Sequence, residues 1–239
     1  MSTYVISDVH AHYDKFINFV NSTNENDTIF CLGDVIDKGP DGLSVLRHIM
    51  NDKRFQMLIG NHELMFLNVV LSSYLPAANA MGLTSYYKEN WIKGNGGKNT
   101  FKSFIALSKA EQDDIINFLQ TLPVLLNVTI NEKDYILVHA FPENLGINNV
   151  YVKDIKHEYI DGLYKFDAPY VWKRQQIFVP NKTIITGHTF VQSYGYDKAI
   201  CITDKNGDEW WDIDGGLAKQ DNTGSLIVLK LDDMSVRKY

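Results

Sequence analysis

The chain has 239 residues and a formal net charge of −6 at pH 7, and 45% of its residues are hydrophobic while 22% are charged. This composition is typical of a soluble globular protein and argues against a disordered or fibrous chain. The negative total charge gives no electrostatic reason to expect binding to bulk nucleic acid or to an anionic membrane, although it does not exclude a locally positive pocket.

The start of the chain, Met1–Asp8, has neither the basic residues nor the long apolar region of a secretory signal, and no later run reaches the length of a membrane span. We therefore expect a cytoplasmic protein. Of the two cysteines, Cys31 and Cys201, the first lies within the apolar run Thr28–Leu32. A buried thiol in a reducing compartment explains Cys31 better than a disulfide or a nucleophile.

The first third of the chain alternates strand patterns with helix patterns. Three short apolar runs predict buried strands at Tyr4–Ile6, Thr28–Leu32 and Phe55–Ile59. Helical periodicity predicts helices at Tyr13–Val20 and Gly42–Met50. This βαβαβ order predicts parallel strands with right-handed crossovers, and ligands are then expected beyond the carboxyl ends of the strands.

The middle of the chain, from His62 to Leu122, has a mainly helical pattern and is predicted to be a helical insertion. Loop signals interrupt it at Ser72–Ala80 and at the Gly-rich stretch Gly94–Gly97. Ser108 with an acidic residue three positions later resembles a capping box, which predicts a helix over Glu111–Leu119.

Strand patterns dominate the last half. They lie at Val124–Ile130, Tyr135–His139, Thr183–Thr186, Ala199–Thr203, Glu209–Ile213 and Leu226–Leu231. Because there is no internal repeat and no Pro- or Ser-rich linker, residues 1–239 are predicted to form one α/β domain with two packed sheets.

Five of the predicted strands end in polar clusters. These are Asp8-Val9-His10, Gly33–Gly39, Gly60–Glu63, Val138-His139-Ala140 and Gly187-His188-Thr189. Mixed imidazole and carboxylate donors favour transition metals such as Mn²⁺, Fe²⁺ and Zn²⁺ over Mg²⁺ or Ca²⁺. An Asp in the middle of such a set can bridge two ions about 3.5–4 Å apart, and Asp34 is the natural bridge.

The separate signals differ in specificity. Asp-x-His alone arises often by chance, whereas Gly-Asp-x-x-Asp-x-Gly at 33–39 followed by Gly-Asn-His-Glu at 60–63 is not easily produced by turn chemistry. His12, His48 and His157 have no such context and are predicted to be solvent-facing or packing residues.

Taken together, these motifs resemble those of the calcineurin-like metallophosphoesterases, and within them the phosphoprotein phosphatase family in its small bacterial and phage forms. The resemblance runs from Asp8 to Asp214. It implies a β-sandwich of two mixed sheets flanked by helices. It also implies a pair of divalent ions, with Mn²⁺ favoured and Fe or Zn as alternatives. The implied ligands are Asp8 and His10 for the first ion, Asp34 for both, and Asn61, His139 and His188 for the second.

The resemblance also implies which groups handle the proton and the phosphate. His62, paired with Asp37, matches the general acid, and a neighbouring carboxylate is expected to raise the pKa of the imidazole. Trp172-Lys173-Arg174 is similar to a motif whose Arg binds phosphate oxygens, which makes Arg174 a substrate-binding residue. Lys38 stands where the family usually has a second Arg, and Asn61 is expected to contact substrate as well as metal.

Further positions match or depart from the pattern. Asn95-Gly96-Gly97 with Thr100 resembles a segment that lines the substrate entrance in bacterial members, with a simple Gly-rich helix break as the alternative. The segment 212–216 resembles the late strand and turn of the family, and we expect it to give structural support near the site. Ala11 and Phe141 stand where glycine is usual, so the local turns must tolerate a side chain.

The resemblance implies a metal-dependent phosphomonoesterase that acts on phosphoserine or phosphothreonine in proteins or peptides, by attack of a hydroxide that bridges the metals. Phosphotyrosine is a further substrate of the same type. The alternative is a symmetrical bis(5'-nucleosyl)-tetraphosphatase. Asp37 favours the first, because the matching position of the second often lacks the acid. An inactive scaffold is disfavoured because all the ligands are present. Nothing in the sequence predicts the oligomeric state.

Overall fold

The computed structural model describes residues 1–141, 148–157, 160–165, 168–219, 221 and 223–239. Within these ranges the strands are β1 (Thr3–Ile6), β2 (Thr28–Cys31), β3 (Phe55–Met57), β4 (Pro123–Ile130), β5 (Lys133–Val138), β6 (Val150–Tyr151), β7 (Thr183–Thr186), β8 (Ile200–Thr203), β9 (Glu209–Asp212), β10 (Ile227–Lys230) and β11 (Ser235–Lys238). The helices are α1 (Tyr13–Val20), α2 (Ser44–Asn51), α3 (Asn61–Ser73), α4 (Pro76–Ala80), α5 (Leu83–Glu89), α6 (Lys98–Ile105), α7 (Lys109–Thr121) and α8 (Pro169–Trp172).

The first sheet has the strand order β11-β10-β1-β2-β3. β1, β2 and β3 are parallel, as the alternation of strands and helices predicts, whereas β10 is antiparallel to β1. α1 follows β1 and α2 follows β2, and α1 packs its Phe16 and Phe19 with Ile6 and Ile29 in one core cluster. The carboxyl ends of three strands therefore lie at one edge of the sheet.

The second sheet has the order β6-β4-β5-β7-β9-β8, in which β5, β7 and β9 are parallel. Val5 and Phe30 of the first sheet share a buried cluster with Ile136 and Ile184 of the second. The two mixed sheets thus pack face to face with helices outside them, which confirms the predicted α/β sandwich.

A group of helices between β3 and β4 confirms the helical insertion. Its core contains Phe66, whose ring centroid lies 5.5 Å from that of Trp91 and 4.9 Å from that of Phe104. A five-residue π-helical turn over Asn90–Gly94 ends at the predicted Gly-rich break. The predicted capping box is confirmed, because Ser108 N donates to Glu111 Oε2 at 3.0 Å at the start of α7.

The loop predicted at Ser72–Ala80 is wrong in most of its length. α3 continues to Ser73, and α4 occupies Pro76–Ala80 with its proline in the first turn. Proline is well suited to that position, because its fixed φ matches the helix and its missing N–H would have no intrahelical acceptor. The same proline and the small residues after it produce the loop signal in the sequence.

The remaining elements differ little from the predicted ones. The strands β6 and β11 and the four-residue α8 were not predicted; β11 is exposed at all four positions, so it lacks the alternation that identifies a half-buried strand. Cys31 is buried as expected, and both cysteines are free thiols. In the parts of the chain that the structure describes, no helix has the length and apolar character to cross a membrane.

Candidate active site

The predicted ligands come together because they follow parallel strands. Asp8 follows β1, Asp34 follows β2 and Asn61 begins α3 after β3, all in the first sheet. His139 follows β5 and His188 follows β7 in the second sheet, and these two strands are also parallel. Both sheets therefore deliver polar side chains to the same edge of the sandwich, as the sequence predicts.

Two groups of donor atoms converge on Asp34. Its carboxylate lies with His10 and His62 in one group and with His139 and His188 in the other, and within each group the donor atoms lie within 4.8 Å of one another. All five side chains are buried. An aspartate shared by two donor groups is the arrangement of a two-metal site, so the structure supports Asp34 as the bridge.

The first half of the site contains His10. Its Nε2 lies 3.8 Å from Asp8 Oδ1 and 3.8 Å from Asp34 Oδ2. Its Nδ1 lies 3.1 Å from the Ile36 carbonyl, which can only accept, so Nδ1 carries the ring proton and Nε2 turns its lone pair to the carboxylates.

The second half contains His139 and His188. Nδ1 of His139 donates to the Leu32 carbonyl at 2.9 Å, and its Nε2 lies 2.9 Å from Asn61 Oδ1 and 3.5 Å from Asp34 Oδ2. Nε2 of His188 donates to the Trp172 carbonyl at 3.0 Å, which leaves its Nδ1 as the lone-pair donor. The ring centroids of the two histidines are 5.0 Å apart.

The residues present fit a pair of bound cations. In each half, imidazole nitrogens and carboxylate oxygens direct lone pairs at one another, an arrangement that is repulsive unless a cation lies between them. Burial, as the largest cause, lowers the pKa of His10 to about 3 and that of His188 to about 2, so both rings are neutral and able to ligate. Burial, with the nearby Glu63 and Asp8 carboxylates, raises the pKa of Asp34, which a bound cation would reverse.

Glu63 is a supporting residue that the sequence analysis did not assign. Its buried carboxylate accepts hydrogen bonds from the backbone N–H of Asp34 and Val35, both at 2.8 Å, and from Gly60 N–H at 3.0 Å. It therefore ties the turn after β2 to the start of α3. The available signal was its place in Gly-Asn-His-Glu, where a charged side chain in the first turn of a buried helix needs several donors.

The His62–Asp37 pair has the predicted contact but not the predicted electrostatics. His62 Nδ1 lies 2.7 Å from Asp37 Oδ2, and His62 Nε2 faces the site, 3.9 Å from Asp34 Oδ2. Burial, Lys38 and His139 lower the pKa of His62 well below its usual value, so the expected increase is wrong. Burial raises the pKa of Asp37 to about 7. The role of His62 as general acid stays a prediction.

Trp91 and Thr100 hold Asp37 from the helical insertion. The Trp91 indole Nε1 donates to Asp37 Oδ2 at 2.5 Å, and Asp37 N–H donates to Thr100 Oγ1 at 3.1 Å. A Cβ on Gly97 would lie 2.5 Å from Trp91 Nε1, so this glycine leaves room for the indole. The Gly-rich segment therefore supports the Asp37 turn.

The two predicted phosphate-binding cations, Lys38 and Arg174, are exposed beside the site. Lys38 lies near His62 and contributes, after burial, to the lowering of its pKa. Arg174 lies near His188, where burial and His139 lower the pKa most and Arg174 adds to the effect. The two cations thus adjoin different halves of the site, and their contact with substrate stays a prediction.

The departures from the family pattern leave the ligands in place. Ala11 adopts φ +55°, so its turn carries a side chain in the left-handed region. Phe141 is buried, and its N–H donates to the Lys173 carbonyl at 3.1 Å. In the late turn, Asp214 N–H donates to Asp212 Oδ1 at 3.0 Å, as expected of a structural support.

Two of the three histidines without motif context have local partners. His48 Nδ1 lies 3.2 Å from the Tyr13 hydroxyl, and His157 Nδ1 accepts from Ile160 N–H at 3.1 Å. His12 is half-buried.

Comparison with known proteins is consistent with this geometry. The profile of the family described as calcineurin-like phosphoesterase matches residues 1–211. Among curated proteins, the symmetrical bis(5'-nucleosyl)-tetraphosphatase of Salmonella paratyphi C (strain RKS4594) is 30% identical over 144 residues, which are 59% of this chain and 43% of that protein. The protein of the same description from Klebsiella pneumoniae (strain 342) is 31% identical over 144 residues, with the same coverage of 59% and 43%. The match spans less than half the length of either relative.

Solved structures share the fold across nearly the whole chain. A putative diadenosine tetraphosphatase superposes with a TM-score of 0.56 at 16% identity, covering 99% of this chain and 92% of that one. A protein serine/threonine phosphatase from Saccharomyces cerevisiae gives a TM-score of 0.56 at 14% identity, covering 100% and 79%. At these identities the likeness shows the fold alone.

Proposed function

Because the chain belongs to the calcineurin-like phosphoesterase family, we propose that this metallophosphoesterase hydrolyses symmetrical dinucleoside tetraphosphates to two nucleoside diphosphates. The convergence of two donor groups on Asp34 carries the assignment of metal-dependent phosphate hydrolysis. The substrate is supported by the two curated relatives, whose names give this activity. Hydrolysis of phosphoserine or phosphothreonine in proteins, which the sequence motifs imply, is the second candidate.

The geometry of the site supports a proposal for the metal-binding roles. Asp8, His10, Asp34, Asn61, His139 and His188 would hold two divalent ions, with Mn²⁺ proposed and Fe or Zn as alternatives. When bound, such ions neutralise charge on a phosphoryl group and lower the pKa of a water molecule.

The other side chains orient the substrate and move a proton. Arg174 is a planar fork that can hold two phosphate oxygens, and Lys38 offers a point charge from the opposite half of the site. His62 Nε2 lies 3.9 Å from Asp34 Oδ2 and so points into the metal site, while its Nδ1 donates to Asp37. In its protonated form, which burial disfavours, His62 would donate from Nε2 to the leaving oxygen, and the Asp37 carboxylate beside Nδ1 would stabilise the imidazolium.

The need for that proton depends on the leaving group. A nucleoside diphosphate leaves as a phosphate whose second pKa is about 6, so it departs readily near neutral pH without general acid help. A serine alkoxide is far more basic and requires a proton in the transition state. The buried His62–Asp37–Trp91 arrangement is therefore the observation that favours the second candidate, a serine/threonine phosphatase of the small bacterial type.

A substrate panel with Mn²⁺ tests the proposal. We expect the full chain to convert diadenosine tetraphosphate to ADP alone, with a kcat/KM at least about tenfold above that for a phosphoserine peptide, a difference of about 1.4 kcal/mol in transition-state binding. The measurement is product analysis by anion-exchange chromatography beside phosphate release from the peptide. Rapid peptide turnover with little or no ADP formation would reverse the order of the two candidates.

A further inference from the structure

A basic cavity lies beside the metal site. It has a volume of about 560 Å³, and its lining includes His12, Lys38, Lys93 and Lys219. These side chains come from separate parts of the chain: the loops after β1 and β2, the π-helical turn of the insertion, and the loop before β10. No described residue that lines the cavity carries a carboxylate. We call it the lysine cavity.

The lysine cavity adjoins the turns that carry the catalytic groups. Lys38 directly follows Asp37, and its N–H donates to the Gly96 carbonyl at 3.3 Å, which joins the wall formed by the insertion to the Asp37 turn. Gly39 N–H donates to the carbonyl of His10, the first-metal ligand, at 3.0 Å. Lys38 lines the cavity and lies close enough to His62 to lower its pKa, so the cavity adjoins the metal site.

The two lysines on the far walls of the cavity differ in how firmly they are held. Lys93 Nζ lies 2.8 Å from Glu89 Oε1, and 76% of the Lys93 side chain is exposed. An exposed pair of this kind contributes about 0–1 kcal/mol, so the Lys93 ammonium can turn towards an anion at little cost. Lys219 is 23% exposed, and its Nζ lies 3.2 Å from Asp221 Oδ2 and donates to Thr223 Oγ1 at 2.8 Å, so its ammonium is held in place at the cavity.

Backbone shape also suits an anion with many oxygens. Gly39, Gly94 and Gly96 line the cavity. A Cβ on Gly39 would lie 2.2 Å from the His10 carbonyl oxygen, so the chain here is compact and only glycine permits the approach. Gly94 is exposed and Gly96 is half-buried, and accessible backbone next to ammonium groups is a setting in which phosphate oxygens are bound in proteins.

We propose that the lysine cavity binds the phosphates that extend beyond the reacting phosphoryl group of a polyphosphate substrate. This inference rests on the proposed function, since a dinucleoside tetraphosphate carries such phosphates. Successive phosphates of a polyphosphate share bridging oxygens. The phosphate next to the reacting one must therefore lie immediately beside the metal site, where the lysine cavity is. Acidic side chains of a peptide would be spread over a longer surface.

The test compares two inorganic anions as inhibitors of p-nitrophenyl phosphate hydrolysis, with Mn²⁺ in excess over both. Orthophosphate is small enough to bind at the metals alone, whereas tripolyphosphate extends into the cavity. The double variant Lys93→Ala/Lys219→Ala should raise the inhibition constant of tripolyphosphate by at least about tenfold, equivalent to about 1.4 kcal/mol. The orthophosphate constant and p-nitrophenyl phosphate turnover should stay unchanged.

A matched control removes the same number of charges elsewhere. Lys102 and Lys198 are exposed and do not line the cavity, so Lys102→Ala/Lys198→Ala should leave both inhibition constants near the wild-type values. An equal effect of the two double variants, or no effect of either, overturns the proposal. So does a higher KM for an acidic phosphopeptide with an unchanged tripolyphosphate constant.

Failure of the proposed function would look different. In that case diadenosine tetraphosphate would not be cleaved, yet tripolyphosphate inhibition would still depend on Lys93 and Lys219. That result would support the lysine cavity as an anion site while removing the tetraphosphate as substrate.

Discussion

The metal-site residues adopt backbone conformations that side chains usually avoid. Asp8, His10, Asp34 and His188 have φ between +47° and +67°. For non-glycine residues the left-handed region costs about 1–2 kcal/mol each, and such residues concentrate at functional sites. The surrounding hydrogen bonds, such as those that the Asp34 turn donates to the Glu63 carboxylate, must compensate for this cost.

A substitution at Gly60 tests how precisely the Asp34 carboxylate must be positioned. A Cβ at this position would lie 2.1 Å from Asp34 Oδ1 and 2.5 Å from Asp34 N. Gly60→Ala should displace the bridging carboxylate and lower kcat/KM by at least about 10²-fold, as misplacement by about 1 Å can do. Gly207→Ala is a control for backbone strain away from the site, because Gly207 has φ +91° and no atom lies within 4 Å of its Cβ position. Full activity of Gly60→Ala would show that Asp34 is not held in this position during catalysis.

The contribution of His62 to the hydrolysis rate should increase with the basicity of the leaving group. His62→Asn removes the imidazole next to Asp37 and should slow phosphoserine hydrolysis by about 10²–10⁴-fold. The effect on diadenosine tetraphosphate should be much smaller, because its leaving group needs little protonation. Initial rates on both substrates, with metal content measured in parallel, make the comparison. Equal losses on both, with metal retained, would contradict the assigned acid role.

Among secondary-structure elements, those with strong periodicity could be predicted from the sequence and the weakly patterned ones could not. α1 has the predicted bounds Tyr13–Val20, since its apolar residues recur on one face. The pattern does not predict β11 because all its side chains are exposed, and its position depends on pairing with β10. Its stability is a tertiary effect that local sequence does not encode.

The helical insertion is predicted to stabilise the site through Trp91. Trp91→Phe keeps the contacts with Phe66 but leaves Asp37 without its indole donor, and should lower the free energy of unfolding by about 1–3 kcal/mol. Urea denaturation measures this. Trp211→Phe, which removes a 3.4 Å bond to Glu209 at the surface, should have a smaller effect. If both variants lost the same free energy of unfolding, the buried hydrogen bond to Asp37 would contribute no more than the exposed one to Glu209.

At the scale of the whole molecule, the convergence of the ligands could be predicted from the sequence, whereas the pKa values of the site residues could not. The ligands follow strands whose parallel order is readable from alternating patterns, so their convergence at one edge follows from topology. The contact of Trp91 with Asp37 spans 54 positions and depends on how the insertion folds back. The pKa of His62 depends on its complete burial, which the sequence around it does not reveal.

The central claim is that two cations share Asp34, and metal stoichiometry tests it most directly. The full chain, freed of metal and titrated with Mn²⁺ by calorimetry, should bind two ions per chain, and phosphatase activity should appear as both sites fill. Asp34→Asn removes the shared charge but keeps the size of the side chain, so it should abolish at least one site together with activity. Binding of a single ion that restores full activity, or two ions bound equally well by Asp34→Asn, would contradict the claim.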